Sequence, residues 1–224
     1  MSFIVKICGL STPEALEAAL DAGADMVGFV FFPPSPRHLA FNTASALSRR
    51  VRARAQKVAL TVDADDGLLA DIVAALQPDM LQLHGHEPPA RVAAIRENFG
   101  LPVMKAIAVA AKRDLGAVPA YATVADRLLF DGRAPREATR PGGLGKTFDW
   151  RLLENLDPGV PFMLSGGLNA GNVADALRIT RAPAVDVSSG VERALGEKDP
   201  DKIRAFIHAA REAAEHFCKV PNSV

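Results

Sequence analysis

Short apolar runs alternate along the chain with longer stretches in which apolar residues return every three or four positions. Runs with strand character fall at 3–8, 26–31, 57–63, 80–84, 103–109, 127–131, 162–165 and 184–188. Between them, helical spacing predicts helices from Ser11-Thr-Pro-Glu14 onward and over 42–55, 66–76, 88–98, 169–179 and 200–217, with a weaker one over 112–121. Ser11 or Thr12 can cap the first of these, Pro13 suits its first turn, and Glu14 can close a capping box. Strict alternation of strand and helix favours a parallel sheet covered by helices. Eight such units, with no Gly-x-Gly-x-x-Gly after the first strand, favour closure into an α/β (β/α)8 barrel, a TIM barrel, over an open doubly wound sheet. No Pro/Ser linker or shift in composition divides residues 1–224, so the expectation is one domain.

Strand parity then sorts the side chains. Lys6 and Cys8 oppose Val5 and Ile7; Thr61 and Asp63 oppose Leu60 and Val62; Gln82 and His84 oppose Leu81 and Leu83; Asp186 and Ser188 oppose Val185 and Val187. If the apolar face of each strand packs on helices, the polar face lines the mouth at the C-terminal strand ends, where barrels of this kind place their chemistry.

Charge narrows the partners. Lys plus Arg and Asp plus Glu each number 26, so no broad basic field is available for nucleic acid or an anionic membrane, and any anion site must be local. The two cysteines, Cys8 and Cys218, have no metal-ligand spacing and fit a reduced, cytoplasmic protein. The start of the chain lacks the basic n-region of a signal peptide, and no apolar stretch is long enough to span a bilayer.

Two strand ends carry the ligand signal. Phe162-Met-Leu-Ser-Gly-Gly-Leu168 and Ala184-Val-Asp-Val-Ser-Ser-Gly-Val-Glu192 each break from an apolar run into Ser and Gly before a helical pattern. Glycine lets backbone N–H groups approach an anion, and the last two strands of a barrel commonly hold a phosphate this way. Tight strand–helix packing would also demand glycine there. Cys8, beside Lys6 in a polar mouth, is placed to ionise below its ordinary pKa and act as base or nucleophile. Asp131 closes the sixth strand after three apolar residues and is a candidate acid. Arg37, in the proline-stiffened loop Phe32-Pro-Pro-Ser-Pro-Arg-His38, offers a planar fork to a carboxylate or phosphate, unless it is a plain surface arginine. His84-Gly-His86 resembles a metal pair, but the two side chains would share a face only if the strand continued through Gly85, so His84 reads as a polar mouth residue and no metal is expected. Lys105 shares parity with Ile107 and Val109, which argues against a Schiff-base lysine. Pro141-Gly-Gly-Leu-Gly-Lys-Thr147 lacks Walker spacing and reads as a loop over the mouth, running into a helix near Phe148-Asp-Trp150.

Taken in order, Lys6-Ile-Cys-Gly9, Ser35-Pro-Arg37, Gln82-Leu-His-Gly85, Phe130-Asp131, Gly142-Gly-Leu-Gly145, Leu164-Ser-Gly-Gly-Leu168 and the segment from Asp186 to Glu192 resemble the phosphoribosylanthranilate isomerases of tryptophan biosynthesis. Leu144 departs from the threonine that family commonly has in its glycine loop. The resemblance implies an Amadori rearrangement of a phosphoribosyl substrate without cofactor or metal. It assigns Asp131 as general acid, Cys8 as general base and Arg37 to the anthranilate carboxylate. His84 and Asp186 would line the substrate site, with Gly166, Gly167, Ser189 and Gly190 at the phosphate. A monomer or homodimer would serve. An indole-glycerol-phosphate synthase-like barrel would need catalytic lysines and a glutamate instead, and an inactive phosphosugar-binding barrel would lack the acid–base pair.

Overall fold

The computed structural model describes residues 3–134, 138, 141–145 and 147–217. Eight parallel strands close into a barrel in chain order: β1 (Ile4–Cys8), β2 (Met26–Phe31), β3 (Gln56–Thr61), β4 (Met80–Leu83), β5 (Val103–Val109), β6 (Arg127–Gly132), β7 (Phe162–Leu164) and β8 (Ala184–Val187). The ring is sealed by β1 against β8, in register from Ile4↔Ala184 to Ile7↔Val187. Parallel neighbours need crossovers, and these carry α1 (Pro13–Asp21), α2 (Phe41–Val51), α3 (Asp66–Leu76), α4 (Pro89–Phe99), α5 (Val118–Ala122) and α6 (Val173–Thr180), with α7 (Pro200–Phe217) closing the layer after β8.

Local chemistry sets the boundaries. Thr12 caps α1 by accepting from the Ala15 N–H, and Pro13 fills the first helical position; losing such a cap costs about 1 kcal/mol. Glu14 does not close a capping box, because the third helical residue is Ala15. Asp65 caps α3 through the Leu68 N–H, and Gly100, at φ +62°, ends α4 in the left-handed region that glycine tolerates best. The connection from β5 to β6 is a 3-10 turn (Lys112–Ala117) running into the single turn of α5. Near Trp150 there is only a 3-10 turn, Trp150–Leu153, where a helix was expected. The predicted helix over 169–179 begins later, at Val173, because Asn169 and Asn172 first form a hydrogen-bonded turn. After β8 the chain makes a 3-10 turn, Ser189–Val191, and a small antiparallel hairpin of β9 (Glu192–Ala194) and β10 (Glu197–Lys198) before α7.

Two apolar layers result. Outside the strands, Val5, Ile7, Leu81, Leu83, Leu128, Phe130, Val185 and Val187 pack against helix residues such as Leu16, Leu69, Ile72 and Phe206. Inside, the barrel floor is filled by Met26, Val58, Met80, Met104, Ala106, Leu129, Met163 and Ala184. Each large side chain buried there contributes roughly 1.5–3 kcal/mol. Among the described residues no helix is long and apolar enough to cross a membrane.

The parity argument holds for β1, β4 and β8 and fails for β3. Val58 belongs to the floor, and Leu60 and Val62 line the mouth above it. Thr61 is instead buried toward the helices, where its hydroxyl finds no partner among the described residues. Asp63 lies past the strand at φ +50° and turns to the surface, taking the His86 N–H. Apolar faces do go to helices in general, but a mouth that needs an apolar wall reverses the rule on one strand.

Candidate active site

The site gathers at the C-terminal ends of the strands, where one cavity is lined by Cys8, Arg37, His84, Asp131, Ser165, Gly166, Gly167, Asp186 and Ser189. Apart from Ser165, which was not among them, these are all of the predicted site residues except Gly190, the neighbour of Ser189. Val30, Phe32, Leu60 and Val62 form an apolar wall on the β2–β3 side.

Cys8 ends β1 opposite Gly28 of β2. A side chain at Gly28 would come within 2.9 Å of the Cys8 thiol and 3.1 Å of Lys6 Nζ, so that glycine makes room for thiol and ammonium to lie together. Lys6 is fully buried and pairs at 2.8 Å with Asp186 Oδ1, its register partner on β8, while Ser165 Oγ donates to Asp186 Oδ2 at 2.9 Å. Burial opposes the charge on Lys6, but Asp186 and the Cys8 thiol hold its pKa above the ordinary lysine value. The expectation that Cys8 ionises readily is corrected here. Burial pushes the thiol above its ordinary pKa, and Lys6, already committed to Asp186, only partly offsets this.

Across the mouth, Asp131 of β6 is 6% exposed. Its Oδ1 accepts from the Gly132 N–H at 2.8 Å, and its Oδ2 lies 3.2 Å from His84 Nε2. Behind it, the Gln82 amide nitrogen stands 3.1 Å from His84 Nδ1. With Gln82 as donor, the imidazole carries its proton on Nε2 and directs it at Asp131. His86 points away, almost fully exposed beside Asp63, so the two histidines do not converge.

Arg37 is not the surface residue a loop position would suggest. It is 3% exposed, with Nε and Nη2 gripping Glu192 at 2.6 and 2.9 Å and Nη2 also reaching the Gly143 carbonyl at 3.2 Å. The glycine loop lies over the mouth: side chains at Gly142 and Gly143 would strike Asp131 Oδ2 and Arg37 Nη1, respectively. Lys105 is buried on the helix side, bonded to Glu87 at 2.8 Å and to the carbonyls of Leu83 and Gly85, which flank His84 in the chain. Cys218 lies outside the described residues.

The glycines of the two strand ends are required by the fold itself. Gly166 and Gly167 have φ of +90° and +66°, and a side chain at Gly166 would approach the Gly132 nitrogen to 2.6 Å. A side chain at Gly190 would overlap the Leu168 carbonyl. The packing reading of these glycines therefore holds, and the first N–H groups of the Ser189–Val191 turn have no partner inside the turn. Glu192, bonded to Arg37, and Lys198, bonded to Glu192, had no role foreseen from sequence; Glu192 at least ends a recognisable segment, whereas Lys198 belongs to none.

A closed parallel barrel that gathers a buried thiol, a carboxyl and a guanidinium around the mouth at its C-terminal strand ends has the make-up of a (β/α)8-barrel enzyme. Comparison with known proteins gives the particular family. Residues 5–209 match the model for N-(5'-phosphoribosyl)anthranilate isomerase, and the chain belongs to that family. It is 66% identical over 215 residues to the protein of that name from Rhodopseudomonas palustris strain BisB5, covering 96% of this chain and 99% of that one. The Bradyrhizobium diazoefficiens relative is 67% identical over 211 residues, covering 94% and 95% of the two chains. The crystal structure of phosphoribosyl anthranilate isomerase from Thermotoga maritima superposes with a TM-score of 0.85 at 37% identity, covering 95% of this chain and all of that one. A further structure of such an isomerase holds reduced 1-(o-carboxyphenylamino)-1-deoxyribulose 5-phosphate and matches with a TM-score of 0.81 at 34% identity, again over 95% of this chain and all of that one.

Proposed function

We propose that this chain, working as one barrel domain in the cytoplasm, converts N-(5'-phosphoribosyl)anthranilate to 1-(2-carboxyphenylamino)-1-deoxyribulose 5-phosphate. The observation that carries the reading is the placement of Cys8 and Asp131 on facing sides of one mouth that also holds Arg37. Asp131 delivers a proton to the ring oxygen as the C1–O bond breaks, and the anilino nitrogen lone pair forms the C=N bond of a protonated Schiff base. His84 Nε2–H then stabilises the carboxylate left on Asp131. Cys8 removes the C2 proton; those electrons form the C1=C2 bond of an enolamine and neutralise the nitrogen. Proton return to C1 and loss of the C2 hydroxyl proton give the ketone, so atoms and electrons balance within the substrate.

The raised thiol pKa fits this order of events. Burial keeps Cys8 protonated at neutral pH, but a cationic Schiff base beside it favours the thiolate when a base is needed. The apolar wall of Val30, Phe32, Leu60 and Val62 suits an aryl ring, with Arg37 at its edge for the carboxylate. Gly166, Gly167, Ser189 and Gly190 would receive the phosphate through backbone N–H groups, and Asp186 would hold Lys6 beside the thiol. A lysine-dependent barrel chemistry is disfavoured because Lys105 faces the helices and Lys6 is locked to Asp186. The test is loss of anthranilate fluorescence when purified protein meets phosphoribosylanthranilate. Unchanged fluorescence with folded protein rejects the reading.

A further inference from the structure

The Glu192 carboxylate is saturated. It accepts from Arg37 Nε at 2.6 Å and Nη2 at 2.9 Å, from Lys198 Nζ at 2.8 Å and from the Gly196 N–H at 3.1 Å. Its side chain is 5% exposed, and those of its two cationic partners are 3% and 1% exposed. Lys198 is held further by the Ser188 carbonyl at 2.8 Å and hydroxyl at 3.2 Å. One buried carboxylate thus sits between two buried cations, and one positive charge is left over. A surplus charge out of water is costly unless an anion meets it.

Orientation follows from the same contacts. Nε and Nη2 of Arg37 are spent on Glu192 and the Gly143 carbonyl, while Nη1 has no hydrogen-bond partner among the described residues. Gly9, at φ +76°, makes room for the arginine stem: a side chain there would lie 2.6 Å from Arg37 Cδ. The guanidinium is therefore fixed along one edge and presents the other to the cavity it lines.

We propose that Glu192 and Lys198 are positioning residues for carboxylate recognition: Glu192 clamps Arg37 with its Nη1 edge toward the ligand, and Lys198 holds Glu192 in place and supplies the surplus charge. The hairpin of β9 and β10 is the element that delivers both. This rests on the reading above that an aryl carboxylate is the ligand of Arg37. Burial and the nearby Arg37 charge bring the Lys198 pKa down to about 8, against the opposing pull of Glu192, so the ammonium is protonated at neutral pH.

The test compares two ligands by calorimetry: the reduced carboxyphenylamino-deoxyribulose 5-phosphate and its phenylamino counterpart without the carboxylate. Wild-type protein is expected to prefer the first. Glu192→Gln keeps the shape but turns an amide toward donors, and is expected to weaken the carboxylate ligand by at least about tenfold. The counterpart, held by phosphate and ring alone, should shift less than about threefold. Lys198→Met should give the same pattern in smaller measure, with Lys198→Arg restoring part of the preference, and this pair carries the test if Glu192→Gln does not fold. Equal losses for both ligands would mean a merely structural role and overturn the proposal. A preference that survives in Glu192→Gln and Lys198→Met overturns it while leaving the proposed function standing. No preference in the wild type overturns both.

Discussion

His84 Nε2 and Asp131 Oδ2 stand 3.2 Å apart, on strand ends two places from each other around the barrel, with Gln82 behind the imidazole. The acid of the proposed reaction is therefore a pair. Asp131→Asn is expected to cut turnover by at least ~10²-fold, since an amide cannot deliver the proton. His84→Gln should cost roughly tenfold alone and little more when added to Asp131→Asn. Steady-state kinetics of the three variants, with circular dichroism to confirm folding, checks this. Fully multiplicative losses would separate His84 from the acid.

Cys8 gives a prediction with a definite sign. Burial favours the neutral thiol, so the thiolate fraction of the free protein is low at neutral pH and rises with pH. The rate of Cys8 alkylation by iodoacetamide, followed by peptide mass mapping, should climb with a midpoint above the ordinary thiol value of 9.0. Lys6→Met removes the neighbouring cation and should move the midpoint higher still. Cys8→Ser should lower turnover by at least ~10²-fold. A midpoint below the ordinary value would contradict the balance of burial over Lys6 described above.

Glycine substitutions at the strand ends should lower stability as well as phosphate affinity. Gly166→Ala meets both a φ of +90° and the Gly132 nitrogen, and is expected to cost on the order of 1–3 kcal/mol. Gly116→Ala, where an added carbon has nothing within 4 Å, serves as the control and should be nearly neutral. Thermal denaturation of both proteins decides the matter; a Gly166→Ala melting temperature equal to wild type would show that the loop can yield.

The Lys105–Glu87 pair should matter for the fold and for His84, not for covalent chemistry. Lys105→Met leaves the Glu87 carboxylate buried without its cation, which typically costs about 3–5 kcal/mol. Adding Glu87→Gln should recover part of that loss. Borohydride in the presence of substrate should trap nothing on Lys105, and a mass adduct there would restore the Schiff-base reading.

Much of this was readable from pattern alone, because a strand between a helix layer and a barrel interior must alternate. That logic placed Lys6, Cys8, Gln82, His84 and Asp186 inside and Lys105 outside, and the strand positions followed within two residues. It failed at Leu60 and Val62, since hydrophobicity cannot distinguish a wall that packs on a helix from one that receives a ring. It was silent on Glu192 and Lys198. Their meeting with Arg37 spans |i−j| of 155 for Arg37–Glu192 and depends on a hairpin with no strong turn signature. The glycine-rich ends stood out as candidate sites, but their duty in backbone packing is a matter of φ angles and close atoms that composition does not record.

The methionines of the barrel floor offer a way to watch the site from beneath. Met26, Met80, Met104 and Met163 are four of the chain's five methionines, and all sit in the same interior layer under the mouth. Their unbranched thioethers adapt to small changes in shape more readily than the branched side chains around them. Protein labelled at the methionine methyl carbon would give a resonance spectrum in which four of five lines come from that one layer. Ligand entry above would then be legible as shifts in those lines, in protein that carries no substitution and no attached probe.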